Sequence, residues 1–333
     1  MLDGVDELVE AQDLNALLRV VDGLCARRSW DELMELANRC EDALERGKQL
    51  WPIASHIDYR VALEAPGEYA AEVLTPENAR FSHGPLTEVA ASTHRWEDLA
   101  SHIEYPQVAA YVAQERVLRG EVLEGDARAH SEILELPLEL QAWEPVYALA
   151  TYSGTYVEVA EPWEPTAPLA AVEPADGAAA ISDLDVEEAL LGLVAPWTGE
   201  SNGAATVAVV EGDARAAGTA LTLGPFRMGP LTPAEALQRL AWAAASGGAH
   251  GRRRGAALGR FLAWHTGAIV AGFDGPLEPG ALGRAVGELR WYRFDEGVPE
   301  EGWVLRVAVE DPTAGWAAAI AATDLLEKPG RVL

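Results

Sequence analysis

Ser246–Gly272 reads SGGAHGRRRGAALGRFLAWHTGAIVAG. A glycine-rich start leads through three consecutive arginines, Arg252–Arg254, into an apolar run. Small residues recur at every fourth position: Gly251, Gly255, Gly259, Ala263 and Gly267. On an α-helix that spacing is nearly one face. It predicts a small-residue helix docked closely on another element, with a glycine turn and a basic cluster at its N-terminal end.

The flanking sequence supplies the partners. Thr232-Pro-Ala-Glu235 is a capping box with proline at the first helical position. It opens a helix carrying Leu237, Leu240, Ala241 and Ala244 that stops at Gly247-Gly248. Upstream, Ala204–Val210 (AATVAVV) is a continuous apolar run of strand length, and Phe226–Met228 is a second, short strand. Ser182 caps a helix through Leu193, and Asp213 caps one toward Leu223. Downstream come Gly280–Trp291, then a strand at Trp303–Val309. Asp311-Pro312 opens a last helix with Trp316, Ala319, Ile320 and Thr323 on one face. Val207–Asp213 and Val307–Pro312 resemble each other as strands that end in paired carboxylates before alanine-rich stretches. Residues 181–333 therefore read as an α/β domain with a small, mostly parallel or mixed sheet.

Residues 1–136 read as helical hairpins. Leu14, Leu17, Leu18, Val21 and Leu24 share one face of a helix over Asp13–Arg27. Ser29 and Glu32 form a capping box for the next, which turns Leu33, Leu36, Cys40 and Leu44 inward and stops near Gly47. Arg28-Ser-Trp-Asp-Glu-Leu33 is echoed by His94-Arg-Trp-Glu-Asp-Leu99, which gives the region a repeat-like look. Residues 137–180 read as an acidic, proline-rich connector. Thr151–Val159 is a candidate β-hairpin within it, and Glu161–Gly177 an extended linker. No Lys or Arg occurs between Arg128 and Arg215.

The 333 residues carry 25 Lys+Arg against 53 Asp+Glu, a formal net charge of -28. That balance disfavours nucleic acid and anionic membranes, which call for a basic face. The only lysines are Lys48 and Lys328, so nearly all cationic chemistry falls to arginine. Cys25 and Cys40 make neither a disulfide framework nor a CxxC motif and read as buried thiols. The N-terminal MLDGVDELVE lacks signal-peptide character, and the longest apolar run, near Phe261–Phe273, is too short for a bilayer. A cytoplasmic location is expected.

Three groups of residues could carry chemistry. Gly251, Arg252, Arg253, Arg254 and Arg260 are the candidate anion site, because a glycine turn at a helix start offers amide donors and arginine offers a bidentate fork. The stretch is neither a Walker A loop nor a dinucleotide fingerprint. Pairing with the chain's own carboxylates is its plainer role. Glu211, Asp213, Glu310 and Asp311 would lie together at one sheet edge if their strands were parallel neighbours, and could then hold a metal. Their plainer roles are helix capping by Asp213 and Asp311 and solvation of the two glutamates. His250, beside the arginines, is the one histidine that could act as acid or base. No motif implies a cofactor. The expected function is a binding or regulatory protein, with a protein partner on the helical domain and a small anionic ligand at the arginines. The alternative is an enzyme acting on a phosphorylated or carboxylated metabolite.

Overall fold

The computed structural model describes residues 4–76, 84–162, 164–175, 177–273, 278–297 and 302–325. The chain forms two compact units: residues 1–134 with 150–159, and residues 135–149 with 160–333. Residues 137–180 thus contribute to both.

The first unit holds α1 (Val5–Ala11), α2 (Leu14–Arg27), α3 (Trp30–Glu45), α4 (Trp51–Glu64), α5 (Gly67–Glu72), α6 (Leu86–Thr93), α7 (Trp96–Leu99) and α8 (Pro106–Leu118). A hairpin, β1 (Ala150–Tyr152) with β2 (Val157–Val159), completes it. The apolar spacing of α2 is realised in buried Leu17, Val21 and Leu24. Asp13 caps the helix by accepting from the Ala16 amide. Arg28, at φ 56°, turns the chain, with its N–H and that of Ser29 returning to Cys25 and Leu24. Helix α3 buries Leu33, Leu36 and Cys40, with Ala43 rather than Leu44 completing the face. Ser29 sits at its N-cap without a side-chain cap bond. Trp30, Leu33, Trp96 and Leu99 are all buried. Yet one half of the echo opens a helix of 16 residues and the other a helix of 4. The resemblance is therefore in anchoring, not in a repeated unit. The hairpin docks through Tyr152, whose hydroxyl donates to buried Glu88 at 2.8 Å, and through the Tyr59 hydroxyl on the Ser153 carbonyl.

The second unit holds β3 (Ala170–Val172), α9 (Leu184–Leu193), α10 (Ala195–Gly199), β4 (Ala204–Glu211), α11 (Ala214–Leu221), β5 (Phe226–Leu231), α12 (Pro233–Ala245), α13 (Ala256–Val270), α14 (Pro279–Glu288), β6 (Arg290–Asp295), β7 (Trp303–Asp311) and β8 (Trp316–Asp324). Its sheet has the order β3-β5-β6-β7-β8-β4, and every pairing is antiparallel. The expected mostly parallel or mixed sheet is thus corrected, and for β4, β7 and β8 the reason lies in Asp311–Asp324. The segment expected as a last helix is strand β8, hydrogen-bonded to β7 on one side and β4 on the other. A hairpin replaces the crossover that a parallel pair requires. Asp311 Oδ1 accepts from the Thr313 and Ala314 amides at 2.8 and 2.9 Å, and Gly315 closes the turn at φ 74°.

The alanines of β8 leave room for α11: Ala317 and Ala319 join Ala217, Val210, Phe226, Met228 and Phe294 in one buried cluster. Helices α9 and α12 also contact the sheet, and α13 packs along α12. The capping box forms as read, with Glu235 N donating to Thr232 Oγ1 at 3.2 Å and Thr232 N to Glu235 Oε2 at 2.7 Å. The stretch expected as an extended linker is held down. Its β3 pairs with β5, Thr166 bonds Glu235 through both N and Oγ1, and Ala175 N donates to Thr219 Oγ1.

Candidate functional site

The Gly/Arg segment is a loop that precedes α13. Gly251 and Arg252–Arg254 lie outside the helix, and Gly255 is its N-cap at φ 97°. The row of small residues becomes a helix face only from Gly259 onward. There a Cβ would stand 2.4 Å from the Ala241 carbonyl oxygen, so α12 and α13 meet backbone to backbone. The glycines of the loop serve its own folding. A Cβ on Gly247 would strike the Arg252 backbone at 2.2 Å, and one on Gly251 the Gly247 carbonyl at 2.1 Å.

The donors expected to await an anion are largely taken. Gly248 N donates to Ser246 Oγ at 3.0 Å, Ala249 N to Asp324 Oδ2 at 2.6 Å, His250 N to Ser201 Oγ at 3.0 Å, and Arg254 N to Ala245 O at 2.8 Å. Asp324 is buried and fills the place that a bound oxyanion would take at the Ala249 amide. Arg252 is exposed, Arg253 and Arg254 are half-buried, and His250 is exposed.

Arg260 departs from the expected group. Its side chain is 0% exposed. Nε and Nη2 make a bidentate pair with Glu144 at 2.8 and 2.6 Å, and the remaining reach goes to the Pro137 and Glu139 carbonyls at 3.0 Å each. Tyr147 and Trp264 donate to the same carboxylate at 2.6 and 2.9 Å. Burial would raise the Glu144 carboxyl, but the bonds and charge of Arg260 hold it below the ordinary range. Arg260 thus takes the plainer of the two roles expected of it, pairing with the chain's own carboxylate. It is sealed from any ligand arriving from solvent.

The four acids do meet at one edge, by a different topology. Strands β4 and β7 are not neighbours. Each is antiparallel to β8, which lies between them, so Glu211 and Asp311 both stand opposite Trp316, and Val210 and Glu310 opposite Ala317. Their oxygens have structural work. Asp213 caps α11 through the Ala216 amide, Asp311 holds the hairpin turn, and Glu310 accepts from Ala214 N and pairs with Arg290. Glu211 is exposed. Among the described residues no three His, Cys, Asp or Glu side chains are arranged to hold a metal ion.

Trp316 begins β8 and Asp324 ends it. At about 3.3 Å per residue, the two ends are about 26 Å apart. The acids gather at the first end, and Ala249 is bonded to the second. His250 and the arginine loop therefore do not converge with Glu211 and Glu310.

A family model matches residues 15–325, nearly the whole chain. The chain belongs to DUF6183, a family of unknown function. No curated protein and no solved structure matches it. The match runs through both units of this DUF6183 protein.

Sequence reasoning about this DUF6183 chain missed Asp324, Ser201 and Glu144, which hold the loop and Arg260 from far along the chain. Asp324 follows a stretch that reads as helix, and nothing local marks it as a loop anchor. It also passed over the arginines of the first unit. The available signal was Arg116-x-x-Arg119, a spacing that places both on one side of a helix.

Proposed function

We propose that the protein is a cytoplasmic binding or regulatory protein in which Arg252–Arg254 meet a small anionic ligand and the helical unit meets a protein partner. The reading is supported by one observation above all. The loop is fixed at Ser201, Ala245 and Asp324, so its arginines stand at the start of the 15-residue helix α13, whose glycine N-cap makes no side-chain cap bond. A helix start favours an anion through its dipole, and the arginine fork suits phosphate and carboxylate. In this version of the site the ligand meets the arginine side chains and the first turn of α13, and the glycine amides stay with the protein.

The cytoplasmic part is supported by the two cysteines. Both are free and buried, and desolvation pushes each thiol up to about 11, which suits a chain kept reduced. No helix among the described residues is long and apolar enough to cross a membrane. The partner surface draws support from Trp51, Tyr105 and Val122, large apolar side chains exposed on the helical unit.

Thermal melts with inorganic phosphate, pyrophosphate and succinate test the ligand part. The expected result is a rise in melting temperature that salt weakens and that is clearly smaller in the Arg252→Ala, Arg253→Ala, Arg254→Ala triple variant. A triple variant that is folded and still stabilised to the wild-type extent would place anion binding elsewhere.

A further inference from the structure

The first unit contains an open cleft of about 440 Å³ between the start of α7 and the end of α8. Three arginines line it, Arg95, Arg116 and Arg119, together with Trp96 and Glu121. In a chain of net charge -28, three arginines around one cleft are a local concentration of cationic donors.

Each arginine is held differently. Arg116 is mostly buried. Its Nε and Nη2 donate to Glu121 Oε1 at 2.9 and 2.7 Å, and its Nη1 to the Ala91 carbonyl at 2.6 Å. The same Glu121 carboxylate accepts from Trp96 N, the first amide of α7, at 3.1 Å. Glu121 thus sits between a guanidinium and a backbone amide, the donor set that recognises an oxyanion. Arg119 Nη1 donates to Glu115 Oε2 at 2.7 Å and to the Glu115 carbonyl at 2.9 Å. Its Nη2 is buried with no hydrogen-bond partner. A charged donor left unsatisfied is costly, and a turn of the Arg119 guanidinium toward the cleft would let an incoming acceptor relieve that cost. Arg95 is 75% exposed at the rim, with a long ion pair of 3.5 Å to Glu97. Gly120, at φ 92°, has open space where a side chain would stand, so the turn after α8 leaves the mouth clear.

We propose that this cleft binds the oxyanion group, phosphate or carboxylate, of a small metabolite. Arg119 and Arg95 supply the new donors, and the anion competes with Glu121 for Arg116. The volume is that of a small-molecule site and too small for a macromolecular surface. The proposal is independent of Arg252–Arg254.

Isothermal titration of the full chain with inorganic phosphate, pyrophosphate and succinate tests it. Saturable binding is expected to persist in the Arg252→Ala, Arg253→Ala, Arg254→Ala triple variant and, in that variant, to be weakened at least tenfold by Arg95→Ala and by Arg119→Gln. Tighter binding of pyrophosphate than of succinate assigns a phosphate ligand, and the reverse order assigns a carboxylate. Glu121→Gln keeps an acceptor for the Trp96 amide but removes the competing charge, so it should bind the anion several-fold more tightly. A destabilised variant cannot mimic that gain. Absence of saturable binding to all three anions overturns the proposal. So does binding that Arg95→Ala leaves as strong as before while Glu121→Gln makes it no tighter.

Discussion

Arg260 and Glu144, 116 residues apart in the chain, form a bidentate ion pair whose side chains are both 0% exposed. The arginine that follows a basic loop in sequence is thus committed inward, to a segment with no Lys or Arg of its own. The pair is enclosed by Trp264, whose ring lies 5.5 Å from the guanidinium carbon, and by Tyr147. Removing one member leaves the other charged and buried. Arg260→Met should therefore cost about 3–5 kcal/mol in urea unfolding. The Arg260→Met, Glu144→Leu double variant should cost clearly less than the sum of its singles, because it strands no charge. Glu144 also gives an acid signature. Its folded carboxyl titrates below the unfolded one, so its stabilisation is present above the unfolded value, near 4, and is lost as pH falls through the lower folded value. Strictly additive costs would show that the two side chains do not interact.

Asp58 on α4 behaves in the opposite sense. Burial, with a smaller contribution from the charge of Glu41, pushes its carboxyl up to about 7. A raised folded value means that the neutral acid is the stable form. Its contribution is full below the unfolded value, near 4, and is lost as pH rises to about 7. Asp58→Asn should be more stable than wild type at pH 8, by about 2–4 kcal/mol, and close to it at pH 4. Urea melts at the two pH values measure the difference. A constant difference across that range would mean that Asp58 does not titrate there.

Gly259 and Gly267 lie on the same helix and separate two kinds of close contact. A Cβ at Gly259 would stand 2.4 Å from the Ala241 carbonyl oxygen, part of a backbone that cannot step aside. At Gly267 it would meet Val286 Cγ2 at 3.3 Å, the end of a side chain that can give. Alanine in place of glycine gains about 1 kcal/mol of helix propensity. That gain should roughly balance the contact at Gly267. At Gly259 it should not, and Gly259→Ala should lose about 1–2 kcal/mol overall, with Gly259→Leu losing more. Thermal melts in which both alanine variants gain stability would show that α12 and α13 can move apart.

Much of the helical content could be read from local spacing. Leu17, Val21 and Leu24 share a face whatever the tertiary context, and the Thr232–Glu235 box announces α12 by its own bonds. Strand β8 was not legible, for a physical reason. WAAAIAATD has the residues of a helix, and Asp311 holding the Thr313 and Ala314 amides is the local geometry of a helix start as well as of a hairpin turn. Gly315 ends the turn, and pairing with β7 and β4 outweighs the alanine preference. The antiparallel pairings of β4 and β7 with β8 follow from that one element. In the candidate site, the glycines and arginines stood out in sequence. Their anchors did not, because the Ala249–Asp324 bond spans 75 residues and the Arg260–Glu144 pair 116.

Asp324 should control how tightly the arginine loop is held. It is the acceptor for the Ala249 amide, and the adjacent Gly248, at φ 75°, runs so close that a Cβ there would lie 2.1 Å from Oδ2. Ser201 holds the next amide, that of His250. Two single changes attack this contact from opposite sides. Asp324→Ala removes the acceptor, and Gly248→Ala both strains the left-handed backbone and pushes against the carboxylate. Each should release the loop locally while α12 and α13 stay packed, so the loss of global stability should be about 1–3 kcal/mol. Trypsin reads the local effect directly, because Arg252–Arg254 lie in the released segment. Cleavage after these arginines should accelerate in both variants relative to cleavage at exposed Arg95 of the first unit. Ser201→Ala should show the same change to a smaller degree, since it removes a neutral acceptor at 3.0 Å and leaves the carboxylate at 2.6 Å. Equal cleavage ratios in all three variants and the wild type would mean that the loop is fixed by its own glycine geometry, with no help from Asp324.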